Sequence, residues 1–164
     1  MAHRVWKNAT TGVVTIGLKN VALALLSRLD PTLALAGAQF DAAGTMTDRL
    51  AALRCLLHFD GRQAPVALAD FAGRWQGDPL VTDKWLALVA TIPAEATLER
   101  VQSLLHDSGL WQPKNPNRVR ALLGSFARAN PLALHRIDGA GYRLLCAQVA
   151  EIDRLNPQVA SRLL

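Results

Sequence analysis

At 164 residues, 51% of them hydrophobic and 5% aromatic, the chain is long enough to enclose one substantial core. Ala and Leu dominate its apolar residues while Val and Ile are sparse, which favours helices packed on helices over sheets. The formal charge of +5 comes largely from arginines scattered along the chain, and scattered charge without interleaved aromatic side chains argues against a nucleic-acid groove, where successive phosphates must be neutralised.

Residues 1–16 are rich in β-branched side chains and show no helical period, so they are expected to form an irregular arm, an edge strand or a cloning-derived addition. From residue 17 a helical-repeat domain is expected to run to residue 164. Leu18, Val21, Ala22, Leu25 and Leu29 fall on one face of a first helix. Asp30-Pro31 ends it, and Pro31 suits the first turn of a shorter second helix reaching Phe40. Thr45 is a candidate cap for a third helix, with Asp48 three residues on and an apolar stripe of Met46, Leu50, Leu53 and Leu57.

A fourth helix is expected over 61–75, closed by Gln76-Gly77-Asp78-Pro79, and a fifth over 80–91, closed by Pro93. Leu98, Val101 and Leu105 line one side of a sixth over 95–106. Asn115-Pro116 opens the next, with Asn as cap, Pro at the first helical position and Val119, Leu122, Leu123 and Phe126 on the buried face. Asn130-Pro131 repeats the device. A longer helix over 139–155 is built on Tyr142, Leu145, Val149 and Ile152, and Asn156-Pro157 starts another that runs into Leu164. The fold class that follows is all-α: an irregular α-solenoid of stacked antiparallel helix pairs, an ARM/HEAT-like superhelix, with an up-and-down bundle as its structural rival.

Chemistry-bearing motifs are sparse. Of the four histidines, His3, His58, His106 and His135, no two stand one helical turn apart with a carboxylate between them, as zinc hydrolysis requires. The two cysteines, Cys55 and Cys146, form no Cys-x-x-Cys pair. Each lies in an apolar helical stretch where a thiol acts as a small hydrophobe, which fits a reduced, cytoplasmic setting better than a Cys146–His135 nucleophile pair. Phosphate-binding glycine loops and the Gly-x-Ser-x-Gly elbow are absent from the sequence. No run of about 18 apolar residues predicts a membrane span. The expectation is a chain with no catalytic residues, no metal ligands and no membrane contact of its own.

One local rule is broken at Arg118-Val-Arg120. Cations in a first turn oppose the helix dipole at a cost of about 0.3–1 kcal/mol, and local violations tend to mark functional sites. The competing reading pairs both arginines with carboxylates such as Asp107 or Asp138. Asp83-Lys84-Trp85 is equally ambiguous between a core face led by Trp85 and a solvated turn.

Three segments in register, Val81-Thr-Asp-Lys-Trp-Leu-Ala-Leu88, Asn115-Pro-Asn-Arg-Val-Arg120 and Asn156-Pro-Gln-Val-Ala-Ser-Arg-Leu163, resemble the C-terminal domain of the bacterial alanyl aminopeptidase (aminopeptidase N) family. Leu18-Lys-Asn20, Met46-Thr-Asp48 and Asp138-Gly-Ala-Gly-Tyr142 fit the same order. The resemblance implies a helical superhelix that caps a separate zinc-bearing catalytic domain and limits entry of peptides. It implies a parent that removes amino-terminal residues with zinc held outside this chain, and it places Arg120 and Arg162 toward the substrate cavity. The partners implied are that catalytic domain and, indirectly, a peptide. The family continues beyond the position of Leu164, so a truncated superhelix is expected, with an apolar last face open to self-association. A free-standing helical-repeat scaffold that binds a protein, or with less support a nucleic acid, is the alternative.

Overall fold

In the computed structural model, residues 15–75 and 77–163 are described. Every regular element among them is helical, as composition and periodicity indicate. None of the helices is long and apolar enough to cross a membrane. Backbone proximity divides the chain into two compact units meeting at Asp70 and Phe71. Of the segment set apart at the start, residues 1–14 lie outside the described residues, and residues 15 and 16 already belong to the first helix.

The first unit contains α1 over residues 15–26, α2 (Ala34–Ala42), α3 (Met46–His58) and the start of α4 (Ala64–Arg74). Asp30 does more than end α1. Its carboxylate accepts from the Thr32 hydroxyl (2.6 Å) and from the amides of Thr32 and Ala34. The chain therefore turns once more, with Leu33 in the left-handed region at φ 53°, and α2 begins three residues later than Pro31 suggests.

Thr45 caps α3 as expected, its hydroxyl accepting from the Asp48 amide at 3.2 Å. Asp48 itself turns away from the cap. Its carboxylate receives Lys19 at 2.7 Å and Asn20 at 3.1 Å, while Gln39 bridges the Asn20 side chain and the Asp48 carbonyl. This network settles which side of α1 faces inward. Leu23 and Ser27 are buried, and the apolar face read from the sequence points out: Leu18 is 70% exposed and Leu29 82%.

In the second unit, α5 (Pro79–Ala90) opens on Asp78, which accepts from the amides of Leu80 and Val81; the Asp78-Pro79 pair thus starts a helix rather than closing the previous one. The unit continues with α6 (Thr97–Leu105), α7 (Pro116–Val119), a π-helical segment (Arg120–Gly124) and α8 (Ser125–Ala129). It ends with α9 (Pro131–Leu134), α10 (Ala140–Asp153) and α11 (Pro157–Ala160). α7, the π segment and α8 form one unbroken helix whose Val119, Leu122, Leu123 and Phe126 are fully buried. Leu104, not Leu105, completes the buried side of α6.

Two readings of α10 need correction. Tyr142 is half exposed and reaches His135 (2.5 Å) across the turn instead of entering the core, and Cys146 is exposed whereas Cys55 is buried. The cause lies in Asp138-Gly-Ala-Gly-Tyr142. Gly139 starts the helix at φ 69°, and at Gly141 a Cβ would stand 2.6 Å from the Ala133 carbonyl oxygen and 2.7 Å from the Leu134 Cα. Close backbone approach of α10 to α9 thus fixes the helix through Gly141, leaving the neighbouring ring outside.

Two outcomes follow. Gly141→Ala is expected to cost about 3 kcal/mol because backbone cannot yield as a side chain can, lowering Tm by roughly 6–12 °C by circular dichroism. Asp48 is held below the usual carboxylate range, chiefly by the Lys19 hydrogen bond acting against burial. A carboxyl whose folded pKa is depressed contributes stability above its unfolded pKa of about 3.9 and loses it as pH falls through the folded value. Asp48→Asn should therefore be less stable than the parent near neutrality and lose less Tm on acidification from about pH 5 to pH 2; parallel acid profiles would refute the network.

Candidate functional site around Arg120 and Arg162

The helix carrying Arg120 is held at its start by Asn115, whose side-chain oxygen accepts from the amides of Asn117 (3.0 Å) and Arg118 (3.4 Å). Pro116 fills the first position, where no donor is needed. From this shared turn the two arginines go separate ways. Arg118 is 4% exposed and its Nε lies 2.9 Å from an Asp83 carboxylate oxygen. The contact is a charge pair and not an aligned hydrogen bond, and Arg118 Nη1 is buried with no hydrogen-bond partner among the described residues. The partner is Asp83 on α5, neither Asp107 nor Asp138. Asp138 is engaged by Arg136 and accepts from the Ala140 amide, and Asp107 folds onto the Gly109 and Leu110 amides.

Arg120 is exposed and meets no carboxylate within ion-pair distance among the described residues. Its guanidinium folds back, Nε donating to the Pro116 carbonyl (3.1 Å) and Nη2 to the Asn117 side chain (2.9 Å). Those neutral partners leave its charge uncompensated. It is also the first residue of the π-helical segment, a rare conformation that occurs mostly as single-turn bulges within α-helices and frequently at functional sites.

Arg162 follows α11, itself capped by Asn156 through the Val159 amide at 3.2 Å. Its side chain is exposed and its carbonyl accepts from Arg128 Nη2 at 2.8 Å. Gly124 is the meeting point: a Cβ there would lie 3.8 Å from the Arg120 Cβ and 3.9 Å from the Leu163 Cδ2. The elements bearing Arg120 and Arg162 therefore touch, and neither of the two helices contains an acidic residue.

Arg128 is the member that sequence reasoning missed. Eight residues from Arg120, it would be turned about 80° away in a regular helix; one residue absorbed by the π turn brings the two within about 20°. The signal available was the eight-residue spacing, which means little unless the π turn is known. Away from these arginines, an apolar cavity of about 420 Å³ is lined by Phe71, Trp75, Val81, Trp85 and Leu110 among others, and neither Arg120 nor Arg162 reaches it.

The far end of the same helix is tied by Asn130, 1% exposed. Its side-chain oxygen caps α9 through the Ala133 amide (3.1 Å), and its Nδ2 donates to the carbonyls of Ala90 (3.0 Å), the last residue of α5, and Ile92 (2.8 Å) just beyond it.

A family profile described as a domain of unknown function (DUF3458_C) with ARM repeats matches residues 15–164. Aminopeptidase N from Haemophilus influenzae is 42% identical over 90% of this chain, and that from Escherichia coli is 40% identical over all of it. A crystal structure of Legionella pneumophila aminopeptidase A in complex with aspartic acid superposes with a TM-score of 0.72 at 33% identity over 80% of the chain. The matched region is 17% and 18% of the two sequence relatives and 15% of the solved one, so the chain spans about a sixth of their length. It corresponds to their C-terminal domain, and the ARM-repeat description accords with the solenoid class read from the sequence.

Removing Asn130 is expected to be costly, since Asn130→Ala strands one buried amide and two carbonyls at about 2–4 kcal/mol in all. Urea unfolding should show a lower midpoint at unchanged slope, and Asn130→Ser, which keeps only the cap, should recover part of the loss.

Proposed function

The chain belongs to the DUF3458_C family of ARM-repeat domains found in aminopeptidase N, and from that premise we propose that it is the non-catalytic helical cap of a zinc aminopeptidase. In this reading the cap lies over a catalytic domain in the rest of the polypeptide, shapes a peptide-admitting cavity, and turns Arg120 and Arg162 toward the bound peptide. The observation that carries it is the pair of exposed arginines on touching helices free of acidic residues.

Among the described residues no three His, Cys, Asp or Glu side chains gather to hold a metal ion. These residues do not fit a zinc site, and the hydrolytic chemistry is assigned to the other domain. What this chain's residues supply is binding. A guanidinium offers several N–H donors in a plane and a permanent charge, which suits the carbonyls and terminal carboxylate of a short peptide. Among the described residues Arg120 has no ion-pair partner, so a peptide oxygen can replace Pro116 or Asn117 as acceptor without breaking an ion pair among them. Arg128 positions the other arm by fixing the Arg162 backbone. The Legionella relative carries aspartic acid, a free amino acid of the kind an aminopeptidase releases.

In the full-length gene product, Arg120→Ala and Arg162→Ala should each raise KM for a tri- or tetrapeptide about three- to tenfold, as loss of one hydrogen bond of about 1 kcal/mol requires. For a single amino-acid anilide, which does not extend to the cap, kcat should stay within about twofold. Equal losses on both substrates, or none on the peptide, would contradict the reading.

A further inference from the structure

Between α6 and α7 helical spacing breaks at Asp107-Ser-Gly-Leu-Trp-Gln-Pro113, yet the backbone there is tied at both ends. The Asp107 carboxylate accepts from the Gly109 and Leu110 amides, and its carbonyl accepts from the Trp111 amide at 2.7 Å. Further on, the Asn115 amide donates to the Gln112 carbonyl at 2.9 Å. Trp111, Gln112, Pro113, Lys114 and Asn115 line an open cleft of about 500 Å³ whose accessible walls are mostly apolar. Trp111 is half-buried, and among the described residues no other ring and no cation stacks on its indole.

A tryptophan costs little conformational entropy to hold and offers a large, rigid contact area, so a free indole face on a tied loop is suited to binding. The cleft also adjoins Arg120. The Arg120 guanidinium folds back onto the Pro116 carbonyl and the Asn117 side chain, and Asn115, next to Pro116 in the chain, belongs to the cleft wall. An extended peptide advances about 3.3–3.6 Å per residue, so one bound at Arg120 covers the distance to the cleft within one or two residues. Lys114 is exposed and, like Arg120, has no ion-pair partner among the described residues. Two such cations beside an apolar floor favour an apolar side chain there and disfavour a cationic one.

We propose that the Trp111 cleft is a subsite for an apolar side chain of the bound peptide, at a residue downstream of the one removed, and that Trp111 sets the preference at that residue. Arg120 holds peptide oxygens whatever the sequence; Trp111 distinguishes one side chain from another. The inference rests on the reading of this chain as a peptide-binding cap and adds a specificity-determining residue to it.

The test uses the full-length gene product and tetrapeptides whose second, third and fourth residues are changed one at a time to Phe, Leu, Ser or Lys. At one of these positions kcat/KM should favour Phe and Leu over Ser by about three- to tenfold, as one aromatic contact supplies, with Lys lowest. Trp111→Ala should bring Phe, Leu and Ser within about twofold of one another, chiefly through KM, and Trp111→Phe should retain most of the preference. The preference is a ratio measured on one preparation, so it does not depend on how much of a variant is folded. A preference that survives Trp111→Ala, or a parent enzyme with none at any of the three positions, would overturn the inference; the cap reading still stands in that case if Arg120→Ala raises KM across the series. Arg120→Ala without effect on any peptide sinks the cap reading and this inference with it.

Discussion

The helix that bears Arg120 is fastened to the α5 segment at both ends, and the geometry of the candidate site depends on that double attachment. Near its start, Arg118 is buried against Asp83 of α5; just past its end, Asn130 reaches the carbonyls of Ala90 and Ile92 where α5 stops. Twelve residues separate the two anchors. In a regular helix they would point about 120° apart, and the single residue absorbed by the π turn reduces this to about 20°, so both can face one neighbour. The same correction turns Arg120 and Arg128 together on another side. The π segment is thus the adjustment that lets one helix be tied down and still present charge.

The anchors act on position more than on net stability. A buried ion pair recovers little beyond its desolvation penalty, but breaking it on one side leaves a charge stranded, so only one placement of the helix is tolerable. Asn130 works similarly, satisfying the start of α9 and the end of α5 with a single side chain. Between the anchors the apolar residues fill the core: Val119, Leu122, Leu123 and Phe126 are fully buried. Gly124 leaves room for Leu163 and carries the last turn, with Arg162, onto the same helix.

How much of this was legible in the sequence follows from the range of each interaction. The helix starts at Asn115-Pro116, Asn130-Pro131 and Asn156-Pro157 were readable because a cap bonds only two or three residues ahead. The buried stripe of Val119 to Phe126 was readable because it follows helical spacing. The burial of α1 was not, since its orientation is decided by Asp48, 29 residues from Lys19, and a polar contact outweighed the apolar face. Tyr142 and Cys146 were misplaced because the register of α10 is set by backbone contact at Gly141 and not by hydrophobicity. The dipole anomaly singled out this turn, yet only the fold shows that Arg118 is buried against Asp83 while Arg120 is exposed. The π turn leaves no mark in the periodicity at all.

Membership of the ARM-repeat family found in aminopeptidase N, with the exposed Arg120 and Arg162 on touching helices, supports the proposal that this chain walls a peptide chamber whose chemistry lies elsewhere. The most direct measurement is a crystal structure of the full-length gene product with a non-hydrolysable peptide bound. Arg120 and Arg162 should each place a guanidinium nitrogen within about 3.2 Å of a peptide oxygen, directly or through one water, while Arg118 stays on Asp83. A peptide bound with both guanidinium groups beyond reach of a single bridging water would contradict it.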